Sequence, residues 1–292
     1  MISYLNGHYL PKGEIAISPD DRGFLFADGL YEVMRSYDGE IFQPQAHIER
    51  LSYGAEQLRF QQMEFSFLIE VAEELIGRNQ LNRGDAIIYI QVTRGIAPRL
   101  HKFPPPGTSL TVYATIRPFQ PKTDEMTEGI NVIFVPDQRW ARTDIKSIGL
   151  LPNVLAQQRA MENNAAEAVF IRDGAITEGT RSNFFAVIGG TVITRPRTNY
   201  ILAGITRKMV IEICQKSSIP FQERSIFETE AHEAQELFIA GTTVEVTPVV
   251  QIEGKNVGNG KPGPITMKLQ KAFAELVHGT IEVTEKNFRN KY

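Results

Sequence analysis

The sequence predicts an α+β chain, on three observations. Strand-like and helix-like segments alternate irregularly, without the regular beat of a parallel doubly wound sheet. Several strand pairs are joined at Asp-Gly or Gly-Gly, the dipeptides that close antiparallel hairpins. With 292 residues, the chain sits at the upper limit of one hydrophobic core, which suggests two.

The first half begins with short strands punctuated by turns. Residues 29–37, ahead of Asp38-Gly39, carry the clearest strand-and-turn signal, and a period of two puts Tyr31, Val33 and Arg35 on one face. Ile48, Leu51, Ala55 and Leu58 recur at helical spacing and predict a helix over 46–60; a second is expected over 65–79. Strands follow over 86–93 and 110–116. Next, Arg117-Pro-Phe-Gln-Pro-Lys-Thr123 carries two prolines that cannot donate to a sheet ladder. It separates two strand-rich regions, so we expect a domain over 1–117, a linker over 118–123 and a second domain over 124–292. That second domain should hold a strand over 130–135, a helix near 154–162 and a hairpin over 168–176 turning at Asp173-Gly174. A further hairpin over 184–194 turns at Gly189-Gly190, followed by a helix over 205–216, an apolar strand over 237–240 and a C-terminal helix over 266–278.

Composition narrows the function classes. A formal charge of −3 and a pI near 6.0 leave no electrostatic footprint for nucleic acid or an anionic membrane. Cys214 is the single cysteine, in the apolar run Met209-Val-Ile-Glu-Ile-Cys214; it cannot form an intramolecular disulfide and reads as a small core residue in a reducing compartment. The N-terminus lacks the charged start and long apolar stretch of a signal peptide, and no window approaches a membrane span, so a cytoplasmic location is expected. His8, His47, His101, His232 and His278 are scattered without ligand-type spacing, so no metal site is expected.

Three segments carry chemistry together. Lys146 lies in Trp140-Ala-Arg-Thr-Asp-Ile-Lys-Ser147 and is followed by the apolar, rigid Ile148-Gly-Leu-Leu-Pro152. Glu178 opens Glu178-Gly-Thr-Arg-Ser-Asn183 and is read as lying in a short loop between two hairpins, aimed inward by the strands on either side. Gly204-Ile-Thr-Arg207 reads as a helix start, with free N–H groups and a threonine hydroxyl. Each alone is common: most lysines are solvated, most turn acids face water and many helices begin at glycine. In combination they supply what pyridoxal phosphate needs: an amine for a Schiff base with its aldehyde, a carboxylate for its pyridinium nitrogen and backbone donors for its phosphate. Gly241-Thr-Thr243, after the apolar strand, could complete the phosphate cradle, and Arg50 could add a charge-assisted contact. A basic, proline-stiffened loop, Arg94-Gly-Ile-Ala-Pro-Arg-Leu-His-Lys-Phe-Pro104, reads either as a solvated loop or as an anion trap in which Arg99 and His101 meet a substrate carboxylate.

These segments resemble the class IV aminotransferases, the fold-type IV pyridoxal-phosphate enzymes, and within them the bacterial D-amino acid aminotransferases. The resemblance runs nearly end to end. It is carried by Asp21-Arg-Gly23, Asp28-Gly-Leu-Tyr-Glu-Val33, Gln91-Val-Thr-Arg-Gly95, Pro98-Arg-Leu-His101, Asp144-Ile-Lys-Ser147, Thr177-Glu-Gly179, Gly204-Ile-Thr-Arg207, Glu245-Val-Thr-Pro248 and Leu269-Gln-Lys271. It implies a small N-terminal α/β domain, a larger C-terminal pseudo-barrel domain that binds the cofactor, and a homodimer. It further implies that Lys146 and Glu178 are the catalytic pair and that Arg50, Ile205, Thr206, Gly241 and Thr242 hold the phosphate. Tyr31, Val33, Arg99 and His101 would face the substrate, and in this family Arg99 and His101 can reach across from the neighbouring subunit. The implied reaction is ping-pong transamination between a D-amino acid, D-alanine or D-glutamate, and a 2-oxo acid, 2-oxoglutarate or pyruvate.

Two positions depart from the resemblance. Arg181 stands where a small hydroxyl residue is usual, and Gly241 stands in place of a serine. Arg181 could fork onto the distal carboxylate of a dicarboxylic substrate. The alternatives on the same scaffold are a branched-chain L-amino acid aminotransferase, which would need an apolar pocket where the carboxylate trap is read, and an aminodeoxychorismate lyase. A cofactor-binding protein without turnover would keep the phosphate site but would not need both Lys146 and Glu178.

Overall fold

The structure is a computed structural model and describes residues 1–62 and 64–279. The chain divides into two compact units, one of Met1–Gln120 with Ile145–Gly149, the other of Pro121–Asp144 with the described residues from Leu150 onward.

The first unit is built on an antiparallel sheet. Its strands are β1 (Ile2–Leu5), β2 (His8–Pro11), β3 (Gly29–Tyr37), β4 (Glu40–Ile41), β5 (Asp85–Thr93) and β6 (Thr111–Phe119), in the order β2-β1-β6-β5-β3-β4. A short helix α1 (Arg22–Phe26) precedes β3, and α2 (Pro44–Gln57) and α3 (Phe67–Arg78) join β4 to β5. Pro44 at the first helical position sets the backbone for α2 without sacrificing a helical N–H bond. β3 pairs with β5 along its whole length, from Gly29 opposite Thr93 to Tyr37 opposite Asp85. Strand alternation therefore divides the residues between two faces. Leu30 and Met34 join Ile88, Ile90, Val92, Ala114 and Ile116 in one core with Ile48, Leu51 and Ala55 of α2 and Leu68, Ala72 and Leu75 of α3. Tyr31 and Val33 lie on the opposite face and are half-buried, whereas Arg35 on that face is buried.

The prolines after Arg117 do not all mark a linker. Pro118 and Phe119 are the last residues of β6, with Pro118 opposite Ala86 of β5. Strand β1 reaches β6 only at Tyr113 and Ala114, so among the described residues the flank of Pro118 away from β5 has no partner strand and its missing N–H is tolerated. Thr123 already belongs to a helix, α4 (Thr123–Glu128), that the sequence pattern does not predict.

The second unit contains α4 and a mixed sheet. Its strands are β7 (Ile130–Pro136), β8 (Glu167–Arg172), β9 (Ala175–Gly179), β10 (Asn183–Ile188), β11 (Thr191–Thr194), β12 (Phe221–Glu223), β13 (Glu236–Gly241), β14 (Glu245–Ile252) and β15 (Lys255–Asn256). They run in the order β12-β11-β10-β13-β14-β7-β8-β9, with β15 on β14. Helices α5 (Leu151–Glu162), α6 (Ile205–Lys216), α7 (Glu228–Glu233) and α8 (Pro264–Val277) complete the unit. Positive φ at both Asp173 and Gly174 makes the tight turn that joins β8 to β9, as the dipeptide predicts. At the far end of the order, β9 returns to β10: the Gly179 N–H donates to the Ser182 carbonyl at 2.7 Å, so the sheet curls on itself. Curling leaves an interior, and Ile130, Val132, Phe134, Val169, Phe184, Leu237 and Ile239 fill it. On the other face, Ala156 and Ala160 of α5 pack against Ile133, Val135 and Phe170.

Candidate active site

Lys146 is positioned by backbone pairing. Residues 145–149 lie against the N-terminal half of β3: the Tyr31 N–H donates to the Lys146 carbonyl at 3.0 Å, and the Ile148 N–H donates to the Gly29 carbonyl at 3.1 Å. Ser147 forms a bridge with Leu30. The lysine segment therefore belongs with the first unit, although its sequence position falls within the expected second domain. Its ammonium nitrogen lies over the face of Tyr31, 4.3 Å from the ring centre. Among the described residues, no acid or carbonyl takes a hydrogen bond or ion pair from that amine. A lysine held this way is anchored at its backbone and open at its nitrogen.

Behind β3, on the core side, lies a fully buried charge cluster. Arg50 of α2 meets Glu32 of β3 fork to fork, Nε to Oε1 and Nη2 to Oε2, both at 2.7 Å. The His47 Nδ1 lies 2.8 Å from the same Oε2. Burial alone would raise the Glu32 pKa, but the Arg50 guanidinium and these hydrogen bonds hold it well below the usual carboxylate range. Burial pushes the His47 imidazole down, so it is neutral at physiological pH despite the neighbouring carboxylate. Arg50 is thus a fixed cation whose direction is set by Glu32, a residue that its own sequence neighbourhood does not single out.

In the second unit, Glu178 is on strand β9 rather than in a loop. The segment Ala175–Gly179 is buried on both faces because the curled sheet encloses it, so the usual in–out alternation is missing and the sequence pattern carries the strand only as far as Ile176. Three donors fix the carboxylate. Arg139 donates to Oε1 at 2.5 Å, and the Asn183 amide and the Leu202 N–H donate to Oε2 at 3.1 and 2.9 Å. Arg139 is itself held by Asp137 through Nε at 3.0 Å and Nη2 at 2.9 Å, while the Thr177 hydroxyl donates to Asp137 at 3.1 Å. Burial would lower the Arg139 pKa, but Glu178 and Asp137 raise it above the usual guanidinium value.

Asn183 is the hub of this unit's site. Besides Glu178, its amide donates to the Leu202 carbonyl at 3.0 Å, and it pairs across the sheet with Ala240, next to Gly241. A Cβ on Gly204 would lie 2.0 Å from Asn183 Oδ1, so only glycine fits at this approach. Gly204 is the N-cap of α6 and no side chain caps that end, leaving the first N–H groups, at the buried Ile205 and Thr206, directed off the helix start. Gly241 and Thr242 lie at the end of β13 and in the turn after it. Arg207, in the same motif, turns elsewhere: it donates to the Arg195 carbonyl at 2.8 Å and pairs with Glu223.

The remaining candidate residues are more exposed. Arg99 lies over the Phe26 ring at 5.3 Å and His101 meets the same ring edge-on at 5.6 Å, so the structure brings these two together. Among the described residues, no hydrogen bond, ion pair or ring contact joins either one to Tyr31. The Arg181 side chain is 45% exposed and its Nε lies 4.0 Å from Glu167 Oε2. Glu167 is buried, and its Oε1 takes the Arg181 N–H at 2.8 Å and the Ser182 hydroxyl at 3.0 Å. The Arg181 backbone is therefore fixed while its guanidinium keeps access to solvent. Sequence pattern does not single out Glu32, Arg139 or Asn183; for Glu32, the matched run Asp28-Gly-Leu-Tyr-Glu-Val33 is the signal available.

Each unit holds donors of the kind pyridoxal phosphate needs: the first an open lysine amine, the second a buried carboxylate fixed by donors and an uncapped helix start approached by a glycine that cannot be replaced without a clash. No group of histidine, cysteine, aspartate or glutamate among the described residues could hold a metal ion. No helix among them is long and apolar enough to cross a membrane.

Comparison with known proteins identifies the family. A model of the amino-transferase class IV family matches residues 29–252, and the chain belongs to that family. It is 41% identical over 278 residues to the D-alanine aminotransferase of Staphylococcus haemolyticus, a match covering 94% of this chain and 97% of the relative. Among solved structures, the branched-chain amino acid aminotransferase of Escherichia coli superimposes with a TM-score of 0.88 at 25% identity, covering 98% of this chain and 97% of that one. The branched-chain aminotransferase of Thermoproteus uzoniensis, solved with norvaline, gives a TM-score of 0.83 at 26% identity, covering 97% and 96%. A further branched-chain amino acid aminotransferase, solved with pyridoxamine 5′-phosphate, gives a TM-score of 0.84 at 25% identity, covering 95% and 94%.

Proposed function

We propose that this chain is a D-amino acid aminotransferase that uses pyridoxal 5′-phosphate to move an amino group from D-alanine or D-glutamate to 2-oxoglutarate or pyruvate. The observation that carries the proposal is Lys146, its segment anchored by two backbone hydrogen bonds and its amine over Tyr31 with no hydrogen-bond or ion-pair partner among the described residues, in a chain 41% identical to a D-alanine aminotransferase.

Lys146 would take the cofactor aldehyde, Glu178 would face its ring nitrogen, and Arg50, Ile205, Thr206, Gly241 and Thr242 would hold its phosphate. The cofactor supplies an electron sink for the bond-breaking step at the substrate Cα. The chain supplies everything else. With the cofactor bound, the Lys146 amine would accept the substrate Cα proton and give it back, acting as base and then acid. The Glu178 carboxylate, aligned by Arg139, Asn183 and the Leu202 N–H, keeps a proton on the ring nitrogen. Uncapped N–H groups at the start of α6 and the Arg50 guanidinium would neutralise the phosphate.

Tyr31, Val33, Arg99 and His101 would orient the substrate. Arg99 and His101 are exposed within one chain and rest on Phe26. A homodimer in which they serve the partner's substrate would account for both features. The similarity to branched-chain aminotransferase structures supports a second reading, turnover of L-leucine, which the same assay separates. Lys146→Ala is expected to abolish transamination of D-alanine with 2-oxoglutarate. Turnover at the parent rate in that variant would remove the proposed role of the lysine.

A further inference from the structure

The sheet face that carries Tyr31 also holds Gln91 and Tyr89, to which the proposed reaction assigns no part. Cross-strand pairing puts Tyr31 of β3, Gln91 of β5 and Tyr113 of β6 in one row, and Val33 and Tyr89 side by side in the next. Residues directly opposite in an antiparallel pair have Cβ atoms about 5 Å apart, so Gln91 is an immediate neighbour of Tyr31 on the face toward which the Lys146 amine is directed. Tyr89 reaches both, Tyr31 diagonally across to β3 and Gln91 two residues along its own strand. Its ring stacks on Tyr31 with centroids 6.0 Å apart and planes at 29°, and its hydroxyl donates to Gln91 Oε1 at 2.7 Å.

This last hydrogen bond decides what Gln91 can offer. An amide whose oxygen is taken by a phenol presents its NH2 group, with two donors, to whatever lies beyond it. Among the described residues, nothing accepts a hydrogen bond from that NH2. Tyr89 keeps its proton across any working pH, because burial, with Tyr31 and Tyr113 nearby, pushes its phenol up to about 12. The other face of the same strands is closed core, so a half-buried glutamine with its oxygen engaged and its donors open stands out here.

We propose that Gln91 is a substrate-binding residue, its side-chain NH2 donating to the α-carboxylate of the amino or oxo acid, and that Tyr89 is a positioning residue that fixes the Gln91 amide and the Tyr31 ring. The assignment rests on the reading of Lys146 as the reacting amine. A carboxylate is the group that two neutral N–H donors beside a tyrosine suit, since it offers two oxygens and no proton.

The experiment uses the protein loaded with pyridoxal phosphate and compares Gln91→Leu, Gln91→Glu, Tyr89→Phe and the Tyr89→Phe/Gln91→Leu pair. The readouts are kcat and KM for D-alanine and for pyruvate, and the inhibition constant of propionate, a carboxylate that cannot react. Gln91→Leu should raise both KM values and the propionate constant about tenfold, the worth of one hydrogen bond to a charged group, with kcat within about threefold of the parent. Gln91→Glu, equal in size, should weaken all three further by setting like charges together. Tyr89→Phe should move them in the same direction by less. The pair should be no worse than Gln91→Leu alone, because Tyr89 acts through Gln91. Unchanged KM and propionate constants in Gln91→Leu or Gln91→Glu, a fall in kcat alone, or additive losses in the pair would overturn the assignment. Failure of the underlying reading would appear separately, as a parent protein that does not transaminate D-alanine or does so without Lys146.

Discussion

Glu32 shows how one residue can set both a site and a stability. Its carboxylate carries Arg50 and His47 together in a position closed to solvent. Its folded pKa lies below the unfolded value near 4.5, so the contribution is present above that pH and is lost as pH falls toward the folded value. His47 works in the same sense: neutral in the folded state, it takes up a proton more readily when unfolded, so acid again favours unfolding. Glu32→Gln is expected to destabilise the protein by about 3–5 kcal/mol at neutral pH, because Arg50 loses its buried partner. The same variant should show a shallower loss of stability between about pH 5 and 3, and urea unfolding across that range measures both effects. Arg181 carries a prediction about specificity. With its guanidinium exposed and its backbone tied to Glu167, Arg181→Ala should raise KM for 2-oxoglutarate several-fold more than KM for pyruvate; equal changes would detach it from the distal carboxylate. Among individual residues, Lys146, Glu178 and Gly204 are legible because each sits in a run that matches a family. Arg139 and Asn183 are not, since their roles come from contacts 39 and 19 residues away with Glu178 and Leu202, which no local pattern displays.

Among the secondary-structure elements, the helix start at Gly204 is the most sensitive point. A Cβ there would meet Asn183 Oδ1 at 2.0 Å, and Asn183 also holds Glu178 and the Leu202 carbonyl. Gly204→Ala should therefore shift Asn183, lower Tm by several degrees and weaken retention of pyridoxal phosphate together; differential scanning fluorimetry and cofactor absorbance after dialysis read the two effects. Strong periodicity makes α2, α3, α6 and α8 readable to within a few residues, and paired turn residues mark the β8–β9 and β10–β11 hairpins. Elements without such signals escape the pattern. Short polar helices such as α4 and α7 bury little and leave almost no apolar stripe. Strand β9 is legible only in part because a segment buried on both faces shows no alternation, and Pro118 hides the end of β6 because proline is disfavoured in a ladder unless one flank is unpaired.

For the whole molecule, two units each contribute residues that the class IV aminotransferase family makes intelligible: an anchored lysine with Arg50 in one, a fixed carboxylate with an uncapped helix start in the other. Net charge gives no sign of nucleic-acid or membrane partners, and the order of three short segments points to the cofactor before any fold is known. What the fold alone does not supply is the handedness of the substrate, since branched-chain aminotransferase structures match this chain nearly end to end; the resemblance in sequence is what points to D-amino acids, in line with the 41% identical D-alanine aminotransferase. The most direct test is a visible absorbance spectrum of the purified protein loaded with pyridoxal phosphate, followed by separate additions of D-alanine and L-leucine. D-alanine is expected to abolish the long-wavelength band of the bound cofactor while L-leucine leaves it in place. Loss of the band with L-leucine alone would keep the cofactor and contradict the D-specific reading of Tyr31, Arg99 and His101.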